Sequence, residues 1–159
     1  MLSSDTPKPE SVLEQIKAIR TDVWFTDLSN VAALLFEAMP EINWAGFYLN
    51  HEGKLWLGPF QGKSACNYID LGRGVCGKAG LDRTTLVVPD VHAFADHIAC
   101  DSRSRSEIVV PLVSGSRLFG VLDVDSPNLN RFGSEDQALL EAVASIVSEV
   151  LQNSHFGLN

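Results

Sequence analysis

The sequence predicts a single α+β domain, with one mostly antiparallel sheet, helices at both termini and all its helices gathered on one face. Three observations predict it. The chain has 159 residues, one domain's length and enough to bury a core without staples. Apolar residues recur at helical spacing near both ends. Between the ends, short apolar runs are joined by Gly-containing turns that read as antiparallel hairpins.

Residues 1–10 read as a flexible lead-in, with Pro7 and Pro9 opposing an early helix, and residues 11–159 as the domain. Val12, Ile16, Ile19 and Val23 then follow a helical period. A second helix is expected after Asp27, through Leu28, Val31, Leu35 and Met39, and closed by Pro40. Two strand-like runs, 43–49 and 54–58, flank Asn50-His51-Glu52-Gly53, which suggests a hairpin with a three-to-five-residue loop. A third run covers Ala65 to Ile69 and leads into a Gly-rich loop at 70–74. A short helix from Val75 to Leu81 and a strand at Thr85–Val88 come next. Runs 107–113 and 118–124, joined by Ser114-Gly115-Ser116, make a second hairpin. The last helix is expected to start at Ser134 with Gln137 reaching back as a capping box, and to bury Leu139, Val143, Ile146 and Val150. No internal repeat or interdomain linker is visible.

Composition excludes several function classes. A net charge of −8 leaves no basic surface for nucleic acid. The most apolar run, IVVPLV, stops within six residues, too short to cross a membrane. The N-terminus lacks the basic and apolar regions of a secretory signal, which points to the cytoplasm. Three cysteines are an odd number, and a chain of this size needs no disulfide framework. In a reducing compartment they are core filler, metal ligands or redox groups.

The segment 91–112 concentrates the chemistry, with His92, His97, Cys100, Asp101 and Glu107 leading into an apolar strand. Cys100 lies in a polar, non-periodic setting that suits a nucleophile better than core filler; His97 and Arg103 would favour its thiolate and Asp101 would oppose it. The spacing H-x4-H-x2-C matches no paired zinc signature, so the expectation is no metal. Residues 72–77, G-R-G-V-C-G, satisfy the dinucleotide fingerprint literally, but the motif sits mid-chain and the helix after it is short. Its glycines still leave backbone N–H groups at a helix start open to a small anion, and the helix dipole would favour a Cys76 thiolate. A tight turn with a buried cysteine is the plainer alternative.

Glu107, Asp123 and Asp125 lie on apolar strands, where a carboxylate is costly unless partnered. Asp123 and Asp125 are two apart and share a face, and Glu107 begins the partner strand, so the three acids are expected to line one pocket. Such a cluster can hold an ammonium group, and a member with a raised pKa can donate a proton. Trp44 and Tyr48, four apart on one strand, suit an aromatic wall or ordinary core packing.

At these residues the chain resembles the free methionine-(R)-sulfoxide reductases, a family of single GAF domains. The resemblance spans roughly residues 25–150 and rests on WAGFY (44–48), GPFQGKSAC (58–66), GRGVCG (72–77), DVHAFADHIACDS (90–102), SEIVVPL (106–112) and GVLDVDSP (120–127). It implies a central antiparallel sheet flanked by terminal helices, often dimerising through them. It implies Cys100 as nucleophile, Cys66 as resolving partner and Cys76 as a third redox cysteine, with an exchange of roles between Cys76 and Cys100 left open. Glu107, Asp123 and Asp125 would grip the polar part of the substrate, Trp44 and Tyr48 would face its methyl end, and backbone groups from Gly74 and Val75 to Cys76 would receive its carboxylate. Tyr68 and Asp70 depart from the family's pattern, where a basic residue and a proline would be expected; Arg103 and Arg105 are more basic than usual.

The implied reaction reduces free methionine (R)-sulfoxide through a Cys100 sulfenic acid and an intramolecular disulfide. Thioredoxin would reset the enzyme, with no metal or organic cofactor. A non-catalytic GAF sensor of a small ligand or of redox state is the alternative, and a thiol hydrolase the third. A sensor is ordinarily joined to an output domain, and this chain stops just after its last helix, which favours the enzyme.

Overall fold

In a computed structural model that describes residues 8–157, four helices pack against a six-stranded antiparallel sheet. Helix α1 (Pro9–Ile19) and α2 (Trp24–Ala38) precede strands β1 (Trp44–His51), β2 (Lys54–Gly62) and β3 (Tyr68–Asp70). Helix α3 (Gly74–Asp82), strand β4 (Leu86–Val88) and a 3-10 turn at Val91–Ala93 lead to β5 (Ser106–Ser114), β6 (Arg117–Ser126) and α4 (Ser134–Asn153). The sheet order is β3-β2-β1-β6-β5-β4.

The two-residue period of the strands divides the molecule into two apolar layers. Ala45, Phe47 and Leu49 of β1, Ile108, Val110 and Leu112 of β5, and Leu122 and Val124 of β6 face α1, α2 and α4. Trp44 and Tyr48, Val109, and Val121 point the other way, toward Val75, Cys76 and Ala79 of α3. Helices therefore cover both faces, and the expectation of one face is corrected. Helix α3 is short and Gly-rich, which lets it lie close to the sheet: a Cβ at Gly77 would intrude on the Asp70 carbonyl. That close approach, with a left-handed Gly74 (φ 63°), accounts for the glycine motif without a dinucleotide.

Several boundaries differ from the sequence reading. Helix α1 begins at Pro9, inside the expected lead-in, because a first-turn proline lacks only an N–H that would have no partner anyway. The rest of the lead-in, residues 1–7, lies outside the described residues. Helix α2 starts at Trp24, ahead of Asp27, whose buried carboxylate accepts from Thr21 N, Thr21 Oγ1 and Asp22 N and ties down the connection between helices. The β1–β2 connection is a two-residue turn with φ of 51° at Glu52 and 80° at Gly53, the twist that lets both strands run up to it. Strand β3 begins at Tyr68 rather than Ala65, because the chain at Cys66 leaves the sheet to bond with Cys100. Gly133 is the N-cap of α4: its N–H donates to Asp136 Oδ2 at 2.8 Å, while Gln137 turns to Glu141. No helix among the described residues is long and apolar enough to cross a membrane.

Candidate active site

The face of the sheet under α3 carries the three acids. Glu107 on β5 pairs directly with Asp125 on β6, and Asp123 lies opposite Val109, so odd positions of both strands point into one cleft. All three carboxyls are buried, at 8, 5 and 8% exposure for Glu107, Asp123 and Asp125. Burial pushes each of them well above the ordinary carboxylate range, and charge repulsion among the three adds to it. Glu107 is central, paired across the strands with Asp125 and with a carboxyl oxygen within 4.8 Å of one on Asp123. Asp123 Oδ1 is buried with no partner among the described residues.

Cys76 reaches down from the first turn of α3 to the same acids. Its sulfur and the nearest oxygens of Glu107 and Asp123 lie within 4.8 Å of one another. The expectation that the helix dipole favours its thiolate is corrected: burial, then repulsion from Asp123, Glu107 and Asp125, drives the thiol well above its usual range. His92, His97, Cys100 and Asp101 form no such convergent donor set among the described residues.

At the cleft mouth the structure joins Cys66 and Cys100 in a disulfide across 34 residues, with Cα atoms 5.4 Å apart. Cys76 is the free thiol beneath it. Burial, then the proximity of His92, holds His97 below the usual histidine range, so it lines the cleft as a neutral imidazole at neutral pH. Asp101 is held far below the ordinary carboxylate range, chiefly by its hydrogen bond from Arg103. Asp101 therefore stays a carboxylate beside Cys100, with the Arg103 guanidinium as its counter-charge.

Trp44 and Tyr48 form the opposite wall. Their rings stack at 6.0 Å, and Phe60 of β2 stacks on Trp44 at 5.3 Å. Phe60 was missing from the sequence reading; it faces Gly46 across the β1–β2 pair, and an aromatic opposite a strand glycine is the signal that would have marked it. Both wall residues also carry a polar function. Trp44 Nε1 donates to Lys63 O at 3.1 Å, and Tyr48 Oη donates to Cys66 O at 2.9 Å. Burial raises the Tyr48 phenol, so it remains a donor at neutral pH.

At the start of α3, Gly74 N donates to Asp96 Oδ2 at 3.3 Å, and Arg73 grips the same carboxylate through Nε and Nη2 at 2.6 and 2.8 Å. The N–H groups of Val75 and Cys76 have no intrahelical acceptor, as at any helix start. Both residues line the cleft, and the Gly74 amide beside them is already engaged.

This acid cluster makes a stability prediction. Asp123 has an unfolded pKa near 3.8 and a folded value well above it. Its contribution is therefore full below about pH 4 and is lost as pH rises through the raised folded value. Asp123→Asn is expected to raise the melting temperature at pH 8 by a few °C, about 3 °C per kcal/mol at this chain length, and not at pH 4. Thermal melts at the two pH values check it; equal shifts at both would show that the carboxylate is not strained in the fold.

The arrangement thus sets a disulfide over a floor of buried carboxyls, each held well above its ordinary range, beside an aromatic wall. Comparison with known proteins identifies the family. The GAF domain family model matches residues 25–151. The chain is 48% identical over 129 residues to the free methionine-R-sulfoxide reductase of Escherichia coli, covering 81% of this chain and 78% of that protein. It is 42% identical over 134 residues to the Saccharomyces cerevisiae protein of that name, covering 79 and 74%. The X-ray structure of free methionine-R-sulfoxide reductase from Neisseria meningitidis, in complex with its substrate, superposes with a TM-score of 0.90 at 44% identity, over 98% of this chain and 95% of that one. The acids, cysteines and aromatic wall thus sit on a shared fold, and the chain belongs to the free methionine-(R)-sulfoxide reductase family of GAF domains.

Proposed function

We propose that the protein reduces free methionine (R)-sulfoxide to methionine with Cys100 as nucleophile and Cys66 as resolving thiol. The observation that carries the reading is the Cys66–Cys100 disulfide at the mouth of a cleft floored by three buried carboxyls whose pKa values burial raises. In the reduced enzyme the Cys100 sulfur attacks the sulfoxide sulfur while a neutral carboxyl protonates the oxygen. Methionine leaves and Cys100 carries the oxygen as a sulfenic acid. Cys66 then attacks the sulfenic sulfur, releasing water and forming the disulfide. An external dithiol, thioredoxin in our reading, is oxidised as it returns both cysteines to thiols. The balance is one sulfoxide and one dithiol consumed per methionine, water and disulfide produced, and the cycle calls for no metal or organic cofactor. The acids would hold the substrate ammonium, the amides of Val75 and Cys76 its carboxylate, and Trp44 with Tyr48 the methyl end. A cleft that grips both ends of a free amino acid excludes the same group within a peptide.

The test is incubation with free methionine (R,S)-sulfoxide, thioredoxin, its reductase and NADPH, followed by chiral amino-acid analysis. The R epimer is expected to disappear and the S epimer to remain. Binding without consumption of either epimer would replace the enzyme with a sensor. We place this chemistry in the cytoplasm, where a thioredoxin pool is reduced. We also propose a homodimer through the terminal helices; exposed Ile19, Val23 and Phe25 at and before the start of α2 support it. Light scattering is expected to report twice the 17.3 kDa chain mass; a single chain mass at micromolar concentration would exclude it.

A further inference from the structure

Asn43 precedes β1, and nothing in the reaction above uses it. It is nonetheless buried, at 8% exposure, with the equally buried Ser104 beside it. Its backbone N–H donates to Asp125 O at 2.9 Å, fastening it to the strand that carries two of the acids. Its side-chain Nδ2 donates at 3.1 Å both to Asp101 Oδ2 and to Ser104 Oγ, across 58 and 61 residues of sequence. Because a carboxylate such as Asp101 only accepts, the amide nitrogen must face it, which fixes the orientation of the Asn43 amide. Its Oδ1 is left buried with no partner among the described residues. A buried amide with one half unsatisfied is costly, and packing alone would be served as well by an apolar side chain.

The segment that Asn43 grips is the turn holding Cys100. Asp101 is the next residue; its carbonyl accepts from Ser104 N at 3.2 Å and its Oδ1 from Arg103 N at 2.9 Å, closing a tight turn. The Arg103 side chain also pairs with Asp101, but that guanidinium is 46% exposed and screened by water. Asn43 is the buried anchor. One residue therefore touches the acid strand through its backbone and the nucleophile's turn through its side chain.

We propose that Asn43 is a positioning residue that, acting through Asp101, holds Cys100 in register with Glu107 and Asp125. This deepens the reductase reading above and rests on it for its kinetic arm. A displaced nucleophile loses reaction rate far more than substrate affinity, because the acids, amides and aromatic wall that bind substrate stay where they are. Misplacement on the order of 1 Å lowers rate by about 10²-fold. The same misplacement weakens the Cys66–Cys100 pairing, since the effective concentration of one sulfur at the other falls as the turn loosens.

The experiment uses Asn43→Asp, a near-isosteric change that sets a carboxylate against Asp101, and the double exchange Asn43→Asp with Asp101→Asn, which rebuilds one amide–carboxylate bond in the opposite sense. For Asn43→Asp, kcat with free methionine (R)-sulfoxide is expected to fall 30- to 100-fold, with KM within about threefold of wild type. The double exchange should recover most of the lost kcat. A second arm needs no substrate: titration of the Cys66–Cys100 disulfide against glutathione should show it at least 10-fold less favoured in Asn43→Asp and recovered in the double exchange. An unchanged kcat and disulfide equilibrium in Asn43→Asp would overturn the proposal. So would a double exchange as impaired as the single, since a merely structural asparagine gives no such rescue. If wild type turns over no sulfoxide, the reductase reading fails by itself, and the disulfide titration still decides the role of Asn43.

Discussion

Cys100→Ser is expected to lower consumption of the R epimer at least about 10³-fold, with substrate binding retained. Serine keeps the size of the side chain, but its hydroxyl is ionised to no useful extent and cannot form the sulfenic acid. Cys66→Ser should behave differently. One methionine per enzyme would still form in a burst, after which the Cys100 sulfenic acid persists, trappable by a carbon nucleophile such as dimedone. Cys76→Ser separates the two assignments that the sequence left open. Cys76 lies buried against the acids with its thiol driven well above its usual range, a poor source of thiolate at neutral pH, while Cys100 sits at the mouth in bond contact with Cys66. Single-turnover assays of the three variants decide the matter. Activity that survived Cys100→Ser and vanished in Cys76→Ser would move the nucleophile to the buried position.

The second large effect concerns the proton. Glu107 lies between the two aspartates and is held well above the carboxylate range by burial first and by Asp123 second. It is the carboxyl best placed to stay protonated and to share its neighbours' protons. Glu107→Gln keeps the shape and one hydrogen-bond donor but removes the transferable proton, and is expected to cost about 10²- to 10⁴-fold in kcat. The pH profile carries the sign. The acid must be protonated to act, so the high-pH limb of wild-type kcat should fall as pH rises through the raised value, while the residual rate of Glu107→Gln should lose that limb. A Gln variant within threefold of wild type at neutral pH would assign proton donation to one of the aspartates.

Much of this site was legible before folding was considered. Two aspartates two residues apart on a strand must share a face, and a partner strand beginning at Glu107 must bring its own acid beside them; β5 and β6 place all three in one cleft. Trp44 and Tyr48 fall on one wall for the same reason of period. Phe60, Asn43 and the Arg73–Asp96 clamp were not legible. Each depends on contact between segments distant in sequence, and each residue type has an ordinary local explanation: a strand aromatic, a turn asparagine, a surface charge.

The cysteines show where sequence reasoning stops. Spacing alone does not pair Cys66 with Cys100 across 34 residues, and only resemblance to a family suggested it. The dipole argument for Cys76 was sound locally and failed because the fold buries the thiol and brings three carboxyls from another part of the chain close to it. Helix and strand identities, the hairpins and the shared face of the acids followed from the sequence by itself, because side-chain period and turn chemistry act over a few residues. Caps, the placement of α3 on the second face, the disulfide and the raised pKa values of the acid cluster were decided by tertiary structure. Burial and charge act through space at a few ångströms, and only the folded chain determines which groups come that close.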